Sequence, residues 1–258
     1  MRLRSHATSM RFRRSLCVLS ALLPAACGGG GTTVPVTGTA QVIFVHALAD
    51  TSAVDVRVNG RLASAMMGVP FGAATLYQSI ASGAVAFAVQ PSPSTNVDSP
   101  RSLTNLGGIT VPNGASLTLV AIGQTRDTIG ARAAGITAYM DDVSPPPSGR
   151  ARLRVINASP DAGAVDVYLT PPSQAREATP SFGGVDYRSA LTRQVTPGTI
   201  QLTVTPLADP TTVLATASVT LAEAQAKTVV VVGFAGPLPA GVSAARKLSV
   251  TTSVNRPN

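Results

Sequence analysis

The sequence contains few charged residues and very few aromatic ones. Charged side chains make up 12% of the 258 residues, aromatic side chains make up 4%, and tryptophan is absent. Glycine and proline are frequent, with 23 and 20 residues. Long amphipathic helices need a charged face and few chain-breaking residues, so this composition predicts an all-β fold with many turns.

Cysteine and histidine are also scarce, with two residues of each. Cys17 lies in a segment with the layout of a cleaved leader, so Cys27 is the single thiol of the predicted mature chain and no disulfide can form within it. His46 is the single histidine after this leader. The mature chain has no G-x-S-x-G, H-E-x-x-H or phosphate-loop motif. The usual sequence signals of a hydrolase or a metalloenzyme are therefore missing, and we expect no cofactor.

The N-terminus has the order of a secretory signal peptide. Five arginines and no acid lie within the first 14 residues, an apolar run from Leu16 to Leu23 follows, and no later apolar run is long enough to cross a bilayer. Leu22-Leu-Pro-Ala-Ala-Cys27 resembles a bacterial lipobox, with Pro24 where leucine is usual. We therefore expect a lipoprotein signal peptide at 1–26, an acyl chain such as palmitate on Cys27, and a flexible tether over 27–39. An ordinary cleaved signal with an incidental cysteine is the alternative.

Removal of this leader changes the charge of the chain. Five of the 20 basic residues leave and all 12 acidic residues stay, so the net charge falls from +8 to +3. Such a mild excess does not predict nucleic-acid binding. We expect an exported protein that contacts the membrane through its lipid. Gly28 after the cysteine favours the outer membrane, with the modules facing the periplasm or the cell surface.

The chain is an internal duplication with an offset of 111 residues. Residues 40–59 recur at 151–170, and the matched pairs are Val45 and Ile156, Asp50 and Asp161, Val54 and Val165, and Asp55 and Asp166. A proline-rich segment at 144–150 lies between the copies. We predict one domain at 40–143, a linker at 144–150 and a second domain at 151–254, each large enough to bury its own core.

Short β-branched runs separated by turn residues indicate the strands of both copies. Asn59-Gly60 is a strong signal of a two-residue hairpin, because both residue types tolerate positive φ. Thr199 to Thr205 alternates between polar and apolar residues, which is typical of a strand with one solvated face. Lys227 to Val232 is apolar on both faces and is expected to lie centrally in its sheet. Each copy thus predicts a β-sandwich.

The run Val155-Ile-Asn-Ala-Ser-Pro-Asp-Ala-Gly-Ala-Val-Asp-Val-Tyr168 resembles the opening signature of the bacterial domain-of-unknown-function family 4397. The first copy is a weaker match, with His46 for Asn157, Leu48 for Ser159 and Ala49 for Pro160 among its departures. The resemblance implies two tandem immunoglobulin-like antiparallel β-sandwich domains outside the cytoplasm. It implies no established enzymatic activity and carries no catalytic residues.

Four aspartates form the one acidic pattern that occurs twice: Asp50, Asp55, Asp161 and Asp166. Two carboxylates five residues apart at a turn are compatible with a calcium ion, but calcium sites usually collect more oxygen ligands. Carboxylates at turns also accept backbone N–H groups, which is the interpretation we favour. We therefore predict no metal and assign all four residues to turn structure.

His46 and Asn157 occupy equivalent positions in the two copies. Both can donate a hydrogen bond from nitrogen at similar reach, so the pattern predicts a shared bond to a turn. A catalytic role for His46 would need a positioned nucleophile and acid. At the end of the first copy, Asp141-Asp142 is predicted to be a solvated strand end.

These features favour a non-enzymatic cell-envelope lipoprotein that presents two β-sandwich modules for a structural or binding role. The first alternative is a surface adhesin whose loops recognise an envelope protein or a polysaccharide. A hydrolase that uses His46 is a remote alternative.

Overall fold

The computed structural model describes residues 38–93 and 102–256, with the side chains of Val254 and Arg256 not described. The predicted signal peptide, Cys27 and the tether up to residue 37 lie outside these ranges. The described residues form strands, two short 3-10 helices and turns, with no α-helix among them. The predicted all-β class is confirmed. Within the same ranges no helix is long and apolar enough to span a membrane.

The first half of the described chain contains eight strands. They are β1 (Thr39–Leu48), β2 (Val54–Val58), β3 (Arg61–Leu62), β4 (Gln78–Ala81), β5 (Gly83–Pro91), β6 (Thr104–Val111), β7 (Ser116–Gly123) and β8 (Gly135–Met140). A 3-10 helix at Ser64–Met66 follows β3. Asn59 and Gly60 form the turn between β2 and β3, with φ of 50° and 78°.

The second half repeats this arrangement with eight more strands. They are β9 (Ala151–Asn157), β10 (Val165–Thr170), β11 (Phe182–Val185), β12 (Ala190–Val195), β13 (Gly198–Pro206), β14 (Ala215–Leu221), β15 (Ala226–Val232) and β16 (Ser249–Arg256). A 3-10 helix at Ala244–Arg246 precedes β16.

The strands form four four-stranded sheets, two from each half. The first half builds an outer sheet with the order β3-β2-β5-β6 and an inner sheet with the order β4-β1-β7-β8. The second half builds an inner sheet, β12-β9-β15-β16, and an outer sheet, β11-β10-β13-β14. Most pairs are antiparallel, but β1 pairs with β7 and β9 pairs with β15 in parallel. Each half is thus a β-sandwich, as predicted, with one parallel pair at the centre of its inner sheet.

Each sandwich has its own apolar core between its two sheets. In the first sandwich Phe44 and Leu119 of the inner sheet pack with Phe87 of the outer sheet. In the second, Leu153 of the inner sheet packs with Phe182 and Leu202 of the outer sheet. Because alternate residues of a strand point to opposite faces, one face of each inner sheet is filled by its own sandwich.

The other faces of the two inner sheets pack against each other. Their apolar contact, which we call the junction, contains Ile43, Val45, Ala47, Val120, Ile122, Ile156, Ala158, Val230 and Val232. Burial of each valine or isoleucine contributes about 1.5–3 kcal/mol relative to exposure. The run of valines in β15 is apolar on both faces for this reason, because Val229 and Val231 face the second core while Val230 and Val232 face the junction. The described chain is therefore a stack of four sheets.

Candidate functional site at the junction of the two sandwiches

His46 and Asn157 make the same two hydrogen bonds in the two sandwiches. Nε2 of His46 lies 2.7 Å from the carbonyl oxygen of Ser52, and Nδ1 accepts from the N–H of Leu48 at 3.3 Å. In the second sandwich, Nδ2 of Asn157 donates to Gly163 at 2.7 Å, and Oδ1 accepts from the N–H of Ser159 at 3.1 Å. Both side chains are fully buried. Each therefore closes the turn that follows the first strand of its sandwich.

The bonds of His46 assign its protonation state. The N–H of Leu48 can only donate, so Nδ1 is the acceptor and the proton lies on Nε2. The pKa of His46 is lowered to about 4, mainly by burial, with the hydrogen bond to Ser52 opposing the shift and the positive charge of Arg246 adding to it. Arg246 stacks on Phe71, whose ring meets the imidazole edge-on. His46 is thus neutral at pH 7.

Replacement of His46 by asparagine should remove a pH dependence of stability. Above pH 6.5 His46 is neutral in both the folded and the unfolded chain. As the pH falls below 6.5, the imidazole becomes protonated in the unfolded chain, whereas in the folded chain it becomes protonated only near pH 4. The wild-type free energy of unfolding should therefore fall by about 3 kcal/mol over this window. Urea titrations at a series of pH values measure the slope, which His46→Asn should flatten because asparagine makes the same bonds in the second sandwich.

The reciprocal replacement, Asn157→His, is the matched control for this experiment. It should introduce a comparable slope in the same pH window, because the new imidazole would be buried at the equivalent position. An identical slope in the wild type and in His46→Asn would assign the pH dependence to other groups.

Asp50 and Asp161 each hold a loop that is distant in sequence. Each carboxylate accepts two backbone N–H groups, from Thr125 and Arg126 at 2.8 and 3.0 Å for Asp50, and from Ala235 and Gly236 at 2.8 and 3.0 Å for Asp161. Burial pushes the pKa of Asp50 upward, but these hydrogen bonds outweigh it and the pKa is lowered. The two aspartates therefore fasten the loops that follow β7 and β15.

Asp55 and Asp166 bind other loops of their sandwiches. Asp55 accepts the N–H of Gly68 at 2.7 Å, and Asp166 accepts those of Gly184 and Ala208 at 2.8 and 3.0 Å. The four repeated aspartates thus act at separate turns. Across residues 38–93 and 102–256, no three His, Cys, Asp or Glu side chains converge as a metal would require.

The structure corrects the interpretation of Asp141. The sequence predicts a solvated strand end at Asp141-Asp142, and the side chain of Asp142 is indeed 59% exposed. That of Asp141 is fully buried. It reaches the edge of the junction, where Arg154 of the second sandwich lies 2.6 Å away. Two adjacent aspartates therefore have opposite environments, because neighbouring residues at a strand end point in opposite directions.

Asp141 and Arg154 form the centre of a buried polar cluster, which we call the junction network. Its other members are Tyr77, Thr118, Thr228 and Asn255. Asp141 accepts hydrogen bonds from the hydroxyls of Tyr77 at 2.6 Å and Thr118 at 2.8 Å. Arg154 donates from Nε to the hydroxyl of Thr228 at 3.0 Å and from Nη2 to that of Thr118 at 2.8 Å. The ion pair is thus surrounded by hydrogen-bonding groups from both sandwiches.

Thr118 and Thr228 are equivalent residues of the duplication, 110 positions apart on β7 and β15. Asn255 connects them, because Nδ2 donates to the hydroxyl of Thr118 at 3.0 Å and Oδ1 accepts from that of Thr228 at 2.5 Å. All three side chains are buried. The network therefore occupies the continuation of the apolar junction, on the faces of β7 and β15 that also carry Val120 and Val230.

A pocket of about 380 Å³ opens over this network. Arg152 lies on its rim, paired with Asp142 at 2.9 Å and donating to the carbonyl oxygen of Ser144 at 3.1 Å. Lys227 donates to the carbonyl oxygen of Thr220 at 2.6 Å, and burial lowers its pKa. Because these charged groups already have partners within the chain, the arrangement is suited to holding the two sandwiches in one orientation.

The family described as "Domain of unknown function (DUF4397)" matches residues 40–168, which is half of the chain. The chain belongs to this family. The DUF4397 match covers the first sandwich and continues through β9 and into β10 of the second. It contains His46, Asn157 and all four repeated aspartates. The match ends at Tyr168, so the assignment of the remaining strands to a second DUF4397 domain stays a prediction, as do the predicted domain boundaries.

Other comparisons add little to the DUF4397 assignment. No curated protein matches the sequence. Among solved structures, the Bacillus anthracis TIE protein matches at 8% identity with a TM-score of 0.26, over 76% of this chain and 33% of that one. The chain spans about a third of that structure's length. A likeness this weak carries no argument.

Sequence reasoning did not identify the junction network of this DUF4397 protein. One signal for it was present in β9, where Arg152 and Arg154 alternate with the core residues Leu153 and Val155. The two arginines share a face with Ile156, which is buried in the junction. An arginine on the same strand face as a buried isoleucine indicates a covered surface that must supply a counter-charge.

Proposed function

We propose that the protein is a non-enzymatic lipoprotein of the cell envelope that presents two joined β-sandwiches as one rigid binding or structural unit. The observation that carries this proposal is the junction. There the apolar faces of the two inner sheets and a buried ion pair join the sandwich that precedes the linker to the sandwich that follows it. The apolar faces of the two inner sheets close on each other, and the charged groups Arg152, Arg154 and Lys227 of the pocket at their edge already have partners within the chain.

The environment of the candidate catalytic residues supports a non-enzymatic role. Both ring nitrogens of His46 are occupied by backbone groups, so neither is available to a nucleophile. The four repeated aspartates are each occupied by backbone N–H groups of their own sandwich. A hydrolase that depends on His46 remains a remote alternative, and full activity of His46→Asn on any substrate would remove it.

The lipid anchor is supported by the leader, by the lipobox-like run that ends at Cys27, and by the four glycines that follow. Cys27→Ala should move the protein from the membrane fraction to the soluble fraction. The same replacement should abolish incorporation of a palmitate probe, because cysteine supplies the acylated thiol. Cell fractionation followed by immunoblotting measures the first result, and in-gel detection of the probe measures the second.

Cys17→Ala is the control, since Cys17 lies within the predicted leader. It should leave the protein acylated and in the membrane fraction. Membrane retention of Cys27→Ala at the wild-type level would contradict the anchor, and loss of the probe from Cys17→Ala would place the acyl chain elsewhere.

A second candidate function is recognition of a glycan by the exposed sandwich surface. One observation favours it. The outer sheet of the second sandwich carries a groove whose lining consists of hydroxyl, amide and proline side chains with one alanine.

A further inference from the structure

The groove lies on the solvent-facing side of the second outer sheet and has a volume of about 400 Å³. Its floor is formed by β13 and β14, and one wall is the turn Pro171-Pro172-Ser173 that follows β10. Ser173 has a φ of 64°, so the turn bends sharply at that point. A groove of this volume is within the range of small-molecule and oligosaccharide sites.

The polar side chains of the groove form regular rows across three strands. Thr170 of β10 is in register with Gln201 of β13, and Gln201 is in register with Ser218 of β14. Thr199 and Thr216 of the flanking rows complete the floor. Gln201, Ser218, Thr199 and Thr216 are all exposed. Adjacent strands are about 4.8 Å apart, so the hydroxyl and amide groups are presented at a nearly constant spacing.

The side chains that line the groove favour an uncharged, hydrogen-bonding ligand. The lining contains no charged side chain, whereas hydroxyl groups both donate and accept and the glutamine amide offers two donors and an acceptor. A ligand that matches such a surface must be uncharged and must itself carry donors and acceptors at short intervals. The rings of Pro171 and Pro172 add an apolar wall.

One hydroxyl of the groove lacks a partner inside the protein. Thr170 is 7% exposed, and its Oγ1 has no hydrogen-bond partner among the described residues. Buried hydroxyls nearly always have a partner, so an unpartnered one needs an explanation. Thr170 lies at the base of the groove, on the row of Gln201 and Ser218, so its hydroxyl is a candidate partner for a ligand that reaches the floor of the groove.

The first sandwich shows that the fold does not require these polar residues. The 111-residue offset places Asn59 where the second sandwich has Thr170, and the backbone hydrogen bond from Asn59 to Ala86 places Ala86 where it has Gln201. The next strand has Gly107 and Gly108 opposite Ala86, at an irregularity of the β5–β6 register. The equivalent sheet therefore forms without the hydroxyl rows. In addition, Asn59 is used within the sheet, where its Oδ1 accepts the N–H of Ala86 at 2.8 Å. Packing alone does not account for the groove of the second copy.

We infer that the groove of the second outer sheet binds a neutral polysaccharide chain through the row of Thr170, Gln201 and Ser218. This inference deepens the proposed function by naming the class of ligand. It rests on the proposed function in one respect, which is that a protein of the cell envelope encounters polysaccharides. The binding test uses purified protein and does not depend on acylation of Cys27. Failure of the anchor therefore leaves the test of the groove intact.

Isothermal titration of the full chain, purified in detergent, tests the groove with cellotetraose, maltotetraose and xylotetraose as neutral probes and tetragalacturonate as an anionic one. At least one neutral probe should bind with a Kd of about 1 mM or lower. The double variant Gln201→Ala/Ser218→Ala should weaken that binding about tenfold or more, because two hydrogen-bonding side chains are lost. Both positions are exposed, so an unchanged thermal midpoint should show that the variant folds.

The control is Thr110→Ala, which removes an exposed hydroxyl from the matching sheet of the first sandwich and should leave the affinity unchanged. Several results would overturn the inference. These are no binding of any neutral probe, a preference for tetragalacturonate over all neutral probes, or a double variant that binds as tightly as the wild type. The same holds if Thr110→Ala weakens binding as much as the double variant does.

Discussion

Asp141→Ala should lower the free energy of unfolding by about 3–5 kcal/mol, the loss expected when one member of a buried ion pair is removed. The side chain of Arg154 is 11% exposed and would keep its charge without the carboxylate that lies 2.6 Å away. Tyr77 would also lose its acceptor. Urea denaturation followed by circular dichroism measures the loss.

Two further variants separate the buried ion pair from general effects of charge. Asp142→Ala removes the neighbouring, exposed carboxylate and should change stability by about 0–1 kcal/mol. Asp141→Leu combined with Arg154→Met removes both charges, so it should be far less harmful than Asp141→Ala alone. Equal losses in Asp141→Ala and Asp142→Ala would show that the junction network contributes nothing specific.

Gly233→Ala should be destabilising by about 3–5 kcal/mol, through backbone strain and steric overlap together. Gly233 follows β15 with a φ of 91°, and a Cβ there would lie 2.6 Å from the carbonyl oxygens of Arg246 and Lys247. Both contacts are to backbone, so the segment that carries Arg246 would have to move. The thermal midpoint and the urea midpoint should both fall.

Two other glycines provide matched controls for this replacement. Gly114 has a φ of 74°, and a Cβ added there would have no other atom within 4 Å, so Gly114→Ala should cost about 1–2 kcal/mol from strain alone. Gly107 has neither positive φ nor close neighbours, and Gly107→Ala should be neutral within about 0.5 kcal/mol. A Gly233→Ala variant no less stable than Gly114→Ala would contradict the steric overlap.

The duplication and the strands could be predicted from the sequence because both are visible as patterns of residue types. A constant offset between Asp50 and Asp161 identifies two copies, and alternation over Thr199 to Thr205 identifies a strand with one solvated face. The apolar character of β15 on both faces also predicted a central strand. Periodicity does not say what covers the second face, however, and here the cover is the other sandwich.

The hydrogen-bond partners of the site residues could not be predicted from the sequence in the same way. The residue types of Asp50 and His46 limit the bonds that they can make, but the loop that Asp50 holds lies 75 residues further along the chain. Asp141 and Asp142 have identical side chains, and their burial differs because one points into the junction and the other points to solvent. Both features depend on tertiary packing that no short window of sequence contains.

The parallel pairing of β1 with β7 has a consequence for the order of folding. Gln41 is in register with Ser116, so the first strand has its central partner only after some 75 further residues are available. Contacts between such distant segments slow folding, because a long loop must close before any contact energy is gained. A newly made chain with this connectivity therefore stays unfolded for longer, which suits the export that we propose for this protein.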